Sequence, residues 1–383
     1  MTIRIAYAVH QYASGGLERC VAHLVNALSD DFSPSIISFC PITADPHWIE
    51  RSGVTVLSLE KCRGNDPALI YRLMRYLKSE SIDVVHSNNW GTLTECSLAC
   101  RLANVYHIHA EHSQQDRHAV MHRGVNRWVH GSLRRIAFNR CEAVVACADS
   151  VRAGIEQHWS FPKNRVTCIA NGVQHPKRKG KIDFRSRLGI GHTGHLVGSI
   201  GRLVTLKGFD DLLRAVALLR QQKIEITLAI VGEGPGRDQL QQLANELDID
   251  DRVHLLGQQC EIGDFLYDVD VYANSSHTEA MSMSMLEAMS AGCPIVASDV
   301  GDARVMLQSE FQCGTVVASR SPDQLADAIA NYINRPTLRQ SHANSAIKAW
   351  QKYYSLEKMT LQFESLYRKT VSPSANSNRQ VVA

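Results

Sequence analysis

The sequence predicts a two-domain α/β fold, each domain a parallel sheet covered by helices, the two facing each other across a cleft. Three observations predict it. Short apolar strands alternate with helical patterns along the whole chain. Those strands are near-continuous apolar runs, as strands buried on both faces require. The rhythm breaks once, at the polar, basic and glycine-rich stretch 171–195, and then restarts. At 383 residues the chain is long enough for two such domains.

Each element follows in order. "IRIAYAV" opens as a strand, and "GLERCVAHLVNALSD" behind it has helical spacing. "PSIISFC" and "TVLSL" are strands, "PALIYRLMRYLKS" a helix, "IDVVHSN" a strand, "LTECSLACRLA" a helix and "YHIHAEH" a strand. After the break come the strand "LVGSIGRL", the helix "FDDLLRAVALLRQQ", the strand "ITLAIVGEG" and the helix "GRDQLQQLANELDI". "RVHLLG", "IGDFLYDV", "VYANSS", "SMLEAMSAG" and "PIVASDV" complete the second unit. The expected division is 1–172 for the first domain and 173–350 for the second. A terminal helix at 351–370 is expected to pack back toward the first domain, and 371–383 reads as a disordered tail.

Composition narrows the function. Lys and Arg number 41 against 38 Asp and Glu, a net charge of +3, so nothing global points to nucleic acid. The start "MTIRIAYAVH" lacks the pattern of a signal peptide, and no run approaches the ~18 to 20 apolar residues of a membrane span. Eleven cysteines, several in strand-like runs, read as buried reduced thiols of a cytoplasmic protein. His107, His109 and His112 lack a further ligand that would complete a zinc site.

Four stretches carry chemistry. In "HQYASGGLER", Gly15 and Gly16 precede a helix whose free N–H groups suit a phosphate or sugar oxygen; a plain turn reads equally well. In "SIGRLVTLKG", Arg202 follows a strand and Lys207 precedes the next helix, two cations suited to a diphosphate or simply to solvent. "VGEGPGRDQL" is a loose glycine fingerprint, weak because it does not follow the first strand. "HTEAMSMSMLEAMSAG" sets Glu279 in a loop and Glu287 in the first turns of a helix that begins near Ser282 to Ser284. Carboxylates there can accept hydrogen bonds from sugar hydroxyls, and the helix-start amides between them suit phosphate. The plain alternative is an exposed acid and a helix-start acid favoured by the dipole.

Taken together, "GGLER", "GRLVTLKG", "VGEGPGRDQL", "RVHLLG" and the E-x7-E of "EAMSMSMLEAMSAGCPIVASDVG" occur in the order and spacing of the retaining family 4 glycosyltransferases. The resemblance covers roughly residues 3 to 368 and is most specific in the second half. Within that family the chain is most similar to bacterial sugar transferases of polysaccharide and lipopolysaccharide assembly. The resemblance implies a GT-B fold of two Rossmann-like domains, a nucleotide-sugar donor (uridine favoured over guanosine), a glycan or lipid-linked acceptor, and no metal or other cofactor. Arg202 and Lys207 match the pair that binds the donor diphosphate and stabilises the leaving group. Glu279 matches the acid that contacts the donor sugar, and Glu287 the one that holds the ribose. Ser282, Met283, Ser284 and Met285 fall where amides meet the phosphates and sugar. Gly15 and Gly16 lie beside the phosphates, as do Gly201 and Gly232 in the strand-end loops. His112 matches a histidine that faces the transferred sugar, and the region of Gln258 and Cys260 packs on the nucleobase.

Two departures stand out. The family's usual glycine after the first glutamate is Ala280 here; if that position needs φ > 0, alanine costs ~1 kcal/mol or more. "NGVQ" replaces the usual "NGVD" at Gln174. Asp268 and Asp270 imitate a metal-binding D-x-D but match an ordinary strand entry of the family. Residues 117–140 hold Arg117, Arg123, Arg127, Arg134, Arg135 and Arg140 with no acid, and apolar residues at helical spacing. That is either a core-packing helix with a basic outer face or a peripheral contact with an anionic membrane surface at the inner face of the cell membrane. A nucleotide-sugar 2-epimerase of the same fold and a non-catalytic sugar-nucleotide-binding subunit are the alternatives to a transferase.

Overall fold

Seven strands of the first half pair in one parallel sheet, and six of the second half in another. The computed structural model describes residues 2–13, 15–62, 66–113, 125–158, 165–191, 194–259 and 262–372, with side chains of the helix at 125–139 described from Ser132 onward. Elements run β1 (Ile3–Val9), α1 (Gly16–Ala27), β2 (Phe32–Ser38), β3 (Thr55–Ser58), α2 (Pro67–Ser79), β4 (Val84–Asn88), α3 (Trp90–Ala103), β5 (Tyr106–Glu111), α4 (Val125–Asn139), β6 (Ala143–Ala146), α5 (Asp149–His158) and β7 (Val166–Cys168). They continue with α6 (Phe184–Arg187), β8 (His195–Ile200), α7 (Phe209–Gln221), β9 (Ile226–Val231), α8 (Arg237–Glu246), β10 (Val253–Gly257), α9 (Ile262–Asp268) and β11 (Val271–Asn274). The last are α10 (Met283–Ala291), β12 (Ile295–Ser298), α11 (Ala303–Leu307), β13 (Gly314–Val317), α12 (Pro322–Asn334), α13 (Pro336–Ala349) and α14 (Leu356–Val371).

The chain divides into two compact units, 1–172 with 356–383, and 173–355. The second crossing thus falls after Ser355, five residues beyond the expected 350, because a π-helical turn at Trp350–Tyr354 continues α13 inside the second unit. Tyr354 O accepts from Val173 N there at 3.0 Å. The tail from residue 373 lies outside the described residues, and α14 runs to Val371.

In the first unit the strand order is β3-β2-β1-β4-β5-β6-β7. Strand β1 is buried from Ile5 to Val9 and pairs in parallel with β2 and β4. Its neighbours α2 and α3 cover it with Leu69, Leu73, Leu77, Cys96 and Ala99, at the three- and four-residue spacing of one helix face. Helix α2 starts where it does because Pro67 presets φ and the Asp66 carboxylate accepts from Leu69 N. Helix α14 is tied to the same sheet by polar contacts of high sequence separation. The Tyr367 hydroxyl meets the Tyr7 hydroxyl at 3.0 Å and His86 Nδ1 at 2.7 Å, and Ser29 N donates to Glu364 Oε1 at 2.7 Å.

The second sheet runs β10-β9-β8-β11-β12-β13. Helix α7 buries Leu212, Leu213, Val216 and Leu219 against β8, β9 and α12. Each such side chain contributes ~1.5 to 3 kcal/mol of transfer free energy. The stretch after the first crossing is held to this unit by a buried carboxylate. Asp264 accepts from the backbone amides of Lys179, Gly180, Lys181 and Ile182 at 2.7 to 3.3 Å. Burial raises the Asp264 pKa, but the four amide bonds outweigh it and hold the carboxyl below its usual range.

Among the described residues every cysteine is free, and burial pushes the Cys20, Cys293 and Cys313 thiols up to about 12. No described helix is long and apolar enough to cross a membrane.

Candidate active site

In a doubly wound sheet the strand order reverses at one place, and ligands gather beyond the strand ends there. In the second unit that place is between β8 and β11, which are paired neighbours. The loop after β8 carries Gly201, Arg202 and Lys207, and the loop after β11 carries Glu279. The structure brings two of these together: Lys207 Nζ donates to Glu279 Oε1 in a half-buried ion pair. Ser276 Oγ donates to the same carboxylate oxygen at 2.9 Å. Arg202 behaves differently. It is exposed and makes no ion pair or hydrogen bond with its side chain among the described residues.

The two loops are stitched beneath that pair. His277 N donates to Leu206 O at 2.9 Å, and Ser275 Oγ to Lys207 O at 3.0 Å. The His277 ring meets Asp211 Oδ2 through Nε2 at 2.8 Å. Gly208, which closes a 3-10 turn and opens α7, has φ +60°, and a β-carbon on it would collide with Ser275 O and the His277 ring. Only glycine fits that crossing.

Helix α10 opens at Met283 behind an extended Ser282, whose hydroxyl is turned to Asn274 Nδ2 at 3.0 Å and Ser284 Oγ at 3.2 Å rather than onto the helix. The amides of Met283, Ser284 and Met285 therefore have no acceptor among the described residues, as the first turn of an uncapped helix leaves them. Glu287, one turn in, is buried. Burial, and then the charges of Glu287 and Glu279, push the pKa of the buried Tyr272 phenol up.

Ala280 is not in the left-handed region, so the strain expected of alanine at this position is absent. The special backbone lies across from it. Gly301 has φ +58°, and a β-carbon there would collide with the carbonyl oxygens of Ala280 and Glu279. Asp302 N donates to Ala280 O at 3.0 Å.

Gly232 has φ +141°, and a β-carbon on it would collide with Gly201 O, so these two glycines let the ends of β8 and β9 approach. A β-carbon on Gly201 would in turn lie 3.5 Å from the Lys207 stem. Gln258 is exposed after β10, and Cys260 lies outside the described residues. All four oxygens of the D-x-D acids are engaged. Asp268 takes Arg178 at 2.8 Å and Phe184 N at 2.8 Å. Asp270 takes Arg185 at 2.8 Å, Leu196 N at 2.9 Å and Arg339 at 3.5 Å. A different trio, Asp210, Asp211 and His277, brings ligand atoms within 4.8 Å of one another and could hold a metal ion.

In the first unit, Gly15 caps α1 in an extended conformation and Gly16 is its first residue. The Glu18 carboxylate folds back so closely that a β-carbon on Gly15 would strike it, so the helix start is fronted by the protein's own acid. His112, just past β5, is fixed twice: its N–H donates to Asn89 Oδ1 at 2.8 Å, and its Nε2 meets Asn88 Oδ1 at 3.1 Å. Asn88 Nδ2 already donates to Ala8 O and His86 O, so its oxygen must accept and His112 Nε2 must carry the proton. Burial lowers the His112 pKa to about 4, which keeps the imidazole neutral.

Behind His112 runs a buried polar chain. Ser113 donates to Glu111 Oε1 through N at 3.3 Å and Oγ at 2.8 Å, and Glu111 Oε2 faces His109 Nε2 at 3.6 Å. His109 Nδ1 meets Ser87 Oγ at 2.8 Å, Ser87 Oγ meets His107 Nε2 at 2.7 Å, and His107 Nδ1 meets Cys141 Sγ at 3.4 Å. Burial raises the Glu111 pKa to about 8 and lowers those of His107 and His109 to about 3. Every group in the chain is then neutral at pH 7. Because Cys141 Sγ donates to Ala137 O, the three bonds of the chain run in one direction: His109 to Ser87, Ser87 to His107, His107 to Cys141; Glu111 Oε2 and His109 Nε2, 3.6 Å apart, lie beyond hydrogen-bond reach of each other.

Asp211, His277, Gly301 and the buried polar chain carried no sequence signal as parts of the site. "KGFDD" showed acids at a helix start, and His277 fitted no pattern.

With the geometry described, known proteins can be set beside it. Among solved structures, Anabaena HepE, crystallised with UDP, matches with a TM-score of 0.81 at 19% identity, covering 96% of this chain and 100% of its own. The fold is therefore that of the GT-B enzymes. Residues 180–349 match the family described as Glycosyl transferases group 1, and residues 14–175 match Glycosyltransferase Family 4. The lipopolysaccharide core biosynthesis mannosyltransferase LpcC of Rhizobium leguminosarum bv. viciae is 30% identical, over 62% of this chain and 67% of its own. An uncharacterised glycosyltransferase of Haemophilus influenzae is 23% identical over 92% of this chain and 96% of its own. The chain belongs to the family 4 glycosyltransferases.

Proposed function

We propose that the protein is a retaining, metal-independent glycosyltransferase acting in polysaccharide or lipopolysaccharide assembly. It moves a sugar from a nucleoside-diphosphate sugar, UDP-linked in preference, to a hydroxyl of a glycan or lipid-linked glycan. The observation that carries this reading is the meeting of Lys207 and Glu279 at the β8–β11 reversal, together with the free amides that open α10. HepE solved with UDP and with UDP-glucose, and a relative named as a lipopolysaccharide mannosyltransferase, support the choice of donor and process.

In this reading the bond from the anomeric carbon to the diphosphate oxygen breaks first, and negative charge grows on the leaving phosphate. Lys207, Arg202 and the amides of Met283, Ser284 and Met285 stabilise that charge. Glu279 and Glu287 accept hydrogen bonds from the donor sugar and the ribose. Gly15, Gly16 and His112 keep the roles that the family resemblance assigns them. The leaving phosphate takes the proton of the acceptor hydroxyl, which adds to the face that the phosphate left. Engagement of every oxygen of Asp268 and Asp270 supports chemistry without a metal at that pair.

A thermal-shift panel of UDP- and GDP-sugars identifies the donor, since the tight binder stabilises by mass action. Lys207→Ala is then expected to lower acceptor-dependent release of nucleoside diphosphate ~100-fold or more. Unchanged turnover in a folded variant would refute the assignment. Release without any acceptor would favour a 2-epimerase, and binding without turnover a non-catalytic subunit. Chelator is expected to leave turnover intact; loss restored by a divalent ion would redirect attention to Asp210, Asp211 and His277.

A second reading, contact with an anionic membrane surface, is favoured by exposed apolar and basic side chains of α3 and α4 in the first unit. Leu133 and Ile136 of α4 are 46% and 47% exposed, and Leu102 of α3 is 58% exposed. Arg101 and Arg135 are exposed on the same two helices, as is Arg140 just past the end of α4, and the helices pack through Trp90 and Phe138 at 5.0 Å. Arg134 turns inward over the Trp90 ring at 4.8 Å. Residues 117–124 of the basic stretch lie outside the described residues. Arg135→Gln with Arg140→Gln is expected to weaken binding to phosphatidylglycerol vesicles; equal binding by parent and variant would remove this reading.

A further inference from the structure

We infer that Asp211 and His277 are positioning residues, which hold Lys207 and Glu279 in the geometry that receives the donor diphosphate. The inference rests on the donor site proposed above. Lys207 and Glu279 stand on separate loops, 72 residues apart in sequence. Their mutual position is set by what joins those loops. Four contacts do: the Lys207–Glu279 pair itself, His277 N to Leu206 O, Ser275 Oγ to Lys207 O, and the His277 ring to Asp211. A ligand that engages Lys207 and Glu279 competes with the first. The next two run to main-chain carbonyls and fix the backbone alone. The fourth joins side chain to side chain and remains when the donor is bound.

Its chemistry suits that task. The His277 side chain is 2% exposed and that of Asp211 12%, so water competes weakly for their contact. An ionised carboxylate only accepts, so His277 Nε2 carries a proton and donates. Asp211 sits at the third position of α7, where the helix dipole favours its charge. Gly208 has no β-carbon to keep the His277 ring away, so the ring packs on the residue next to Lys207. A shift of the ring therefore moves Lys207 on one side, and Ser276 and Glu279 on the other. Because geometric errors of about 1 Å at such a site cost ~100-fold in favourable cases, a contact that never touches the ligand can govern affinity and rate.

The test is a double-mutant cycle read by calorimetric affinity for UDP and GDP, with melting temperature measured in parallel. Lys207→Ala is expected to weaken binding of the preferred nucleotide about 10-fold or more, and His277→Ala about 5-fold or more. If His277 acts through Lys207, adding His277→Ala to Lys207→Ala changes the affinity less than twofold. His277→Gln, which keeps a donor near the Nε2 position, is expected to stay within twofold of the parent. Should His277→Ala fail to fold, Asp211→Ala breaks the same contact from the other side and enters the same cycle.

A lowered melting temperature with the parent's affinity would overturn the inference, and so would losses that multiply in the double variant. If Lys207→Ala itself keeps full nucleotide affinity, the donor site fails and the positioning role with it. If Lys207→Ala loses affinity and His277→Ala does not, the positioning role alone fails.

Discussion

Glu111→Gln is the perturbation that most directly probes the buried chain of the first unit. The Glu111 side chain is fully buried, and burial raises its pKa from the ordinary 4.5 to about 8. A carboxyl whose folded pKa is raised binds its proton more tightly in the folded state. Its contribution is therefore fully present below pH 4.5 and is lost as pH rises through 8. Each pH unit in that window costs up to ~1.4 kcal/mol, and the whole window ~5 kcal/mol. Glutamine imitates the neutral acid. Its carbonyl can accept from Ser113, its amide takes the place of the protonated oxygen that faces His109, and it does not titrate. The parent and Glu111→Gln are thus expected to be similarly stable at pH 5, with the variant several kcal/mol more stable at pH 9. Urea unfolding at pH 5, 6, 7, 8 and 9, taken as a difference between the two proteins, measures this. The second unit is common to both and cancels. The acid limb should not change, because His107 and His109, lowered to about 3, lose their contribution in both proteins as pH falls from 6.5 toward 3. Parallel curves from pH 5 to 9 would show that Glu111 is not held neutral, and the reading of an uncharged cluster at pH 7 would fall with it.

Two further outcomes can be checked with single substitutions. Glu279→Gln releases Lys207 from its ion pair, so UDP affinity is expected to rise or hold while sugar transfer falls at least 10-fold; calorimetry and turnover together read the split, and a parallel loss of both would contradict it. Asp264→Ala removes the acceptor of four backbone amides, and the melting temperature of the second unit is expected to fall. Because the folded pKa of Asp264 is depressed, its contribution is present above the ordinary carboxylate range and lost as pH falls through the folded value. The gap between parent and variant should therefore close in strong acid; a gap independent of pH would assign the effect to packing.

Much of this was legible in the sequence because its signals are local. Continuous apolar runs named the parallel strands, and the change from loop to helical spacing near Ser282 marked the start of α10. Lys207 and Glu279 stood out because a cation and an acid beside strand ends carry chemistry wherever the fold places them. What was not legible depends on contacts between distant segments. His277 meets Asp211 across 66 residues, and nothing near either one announces the other. Ala280 invited attention because glycine is usual there, yet the left-handed backbone belongs to Gly301, twenty-one positions on, whose need arises only when the two loops touch. Histidines 107 and 109 showed strand alternation, but their shared partner Ser87 comes from the neighbouring strand.

The attachment of α14 to the first unit also bears on how the protein is made. Tyr7 and His86 find their partner in Tyr367, 360 residues beyond Tyr7. During synthesis the strands that carry Tyr7 and His86 emerge before the second unit and cannot close that contact until Tyr367 has left the ribosome. The second unit, contiguous from 173 to 355, has all its own contacts earlier. The unit whose sheet is made first is therefore the one that completes its contacts later, and a fragment cut at residue 172 would leave Tyr7 and His86 without their Tyr367 partner.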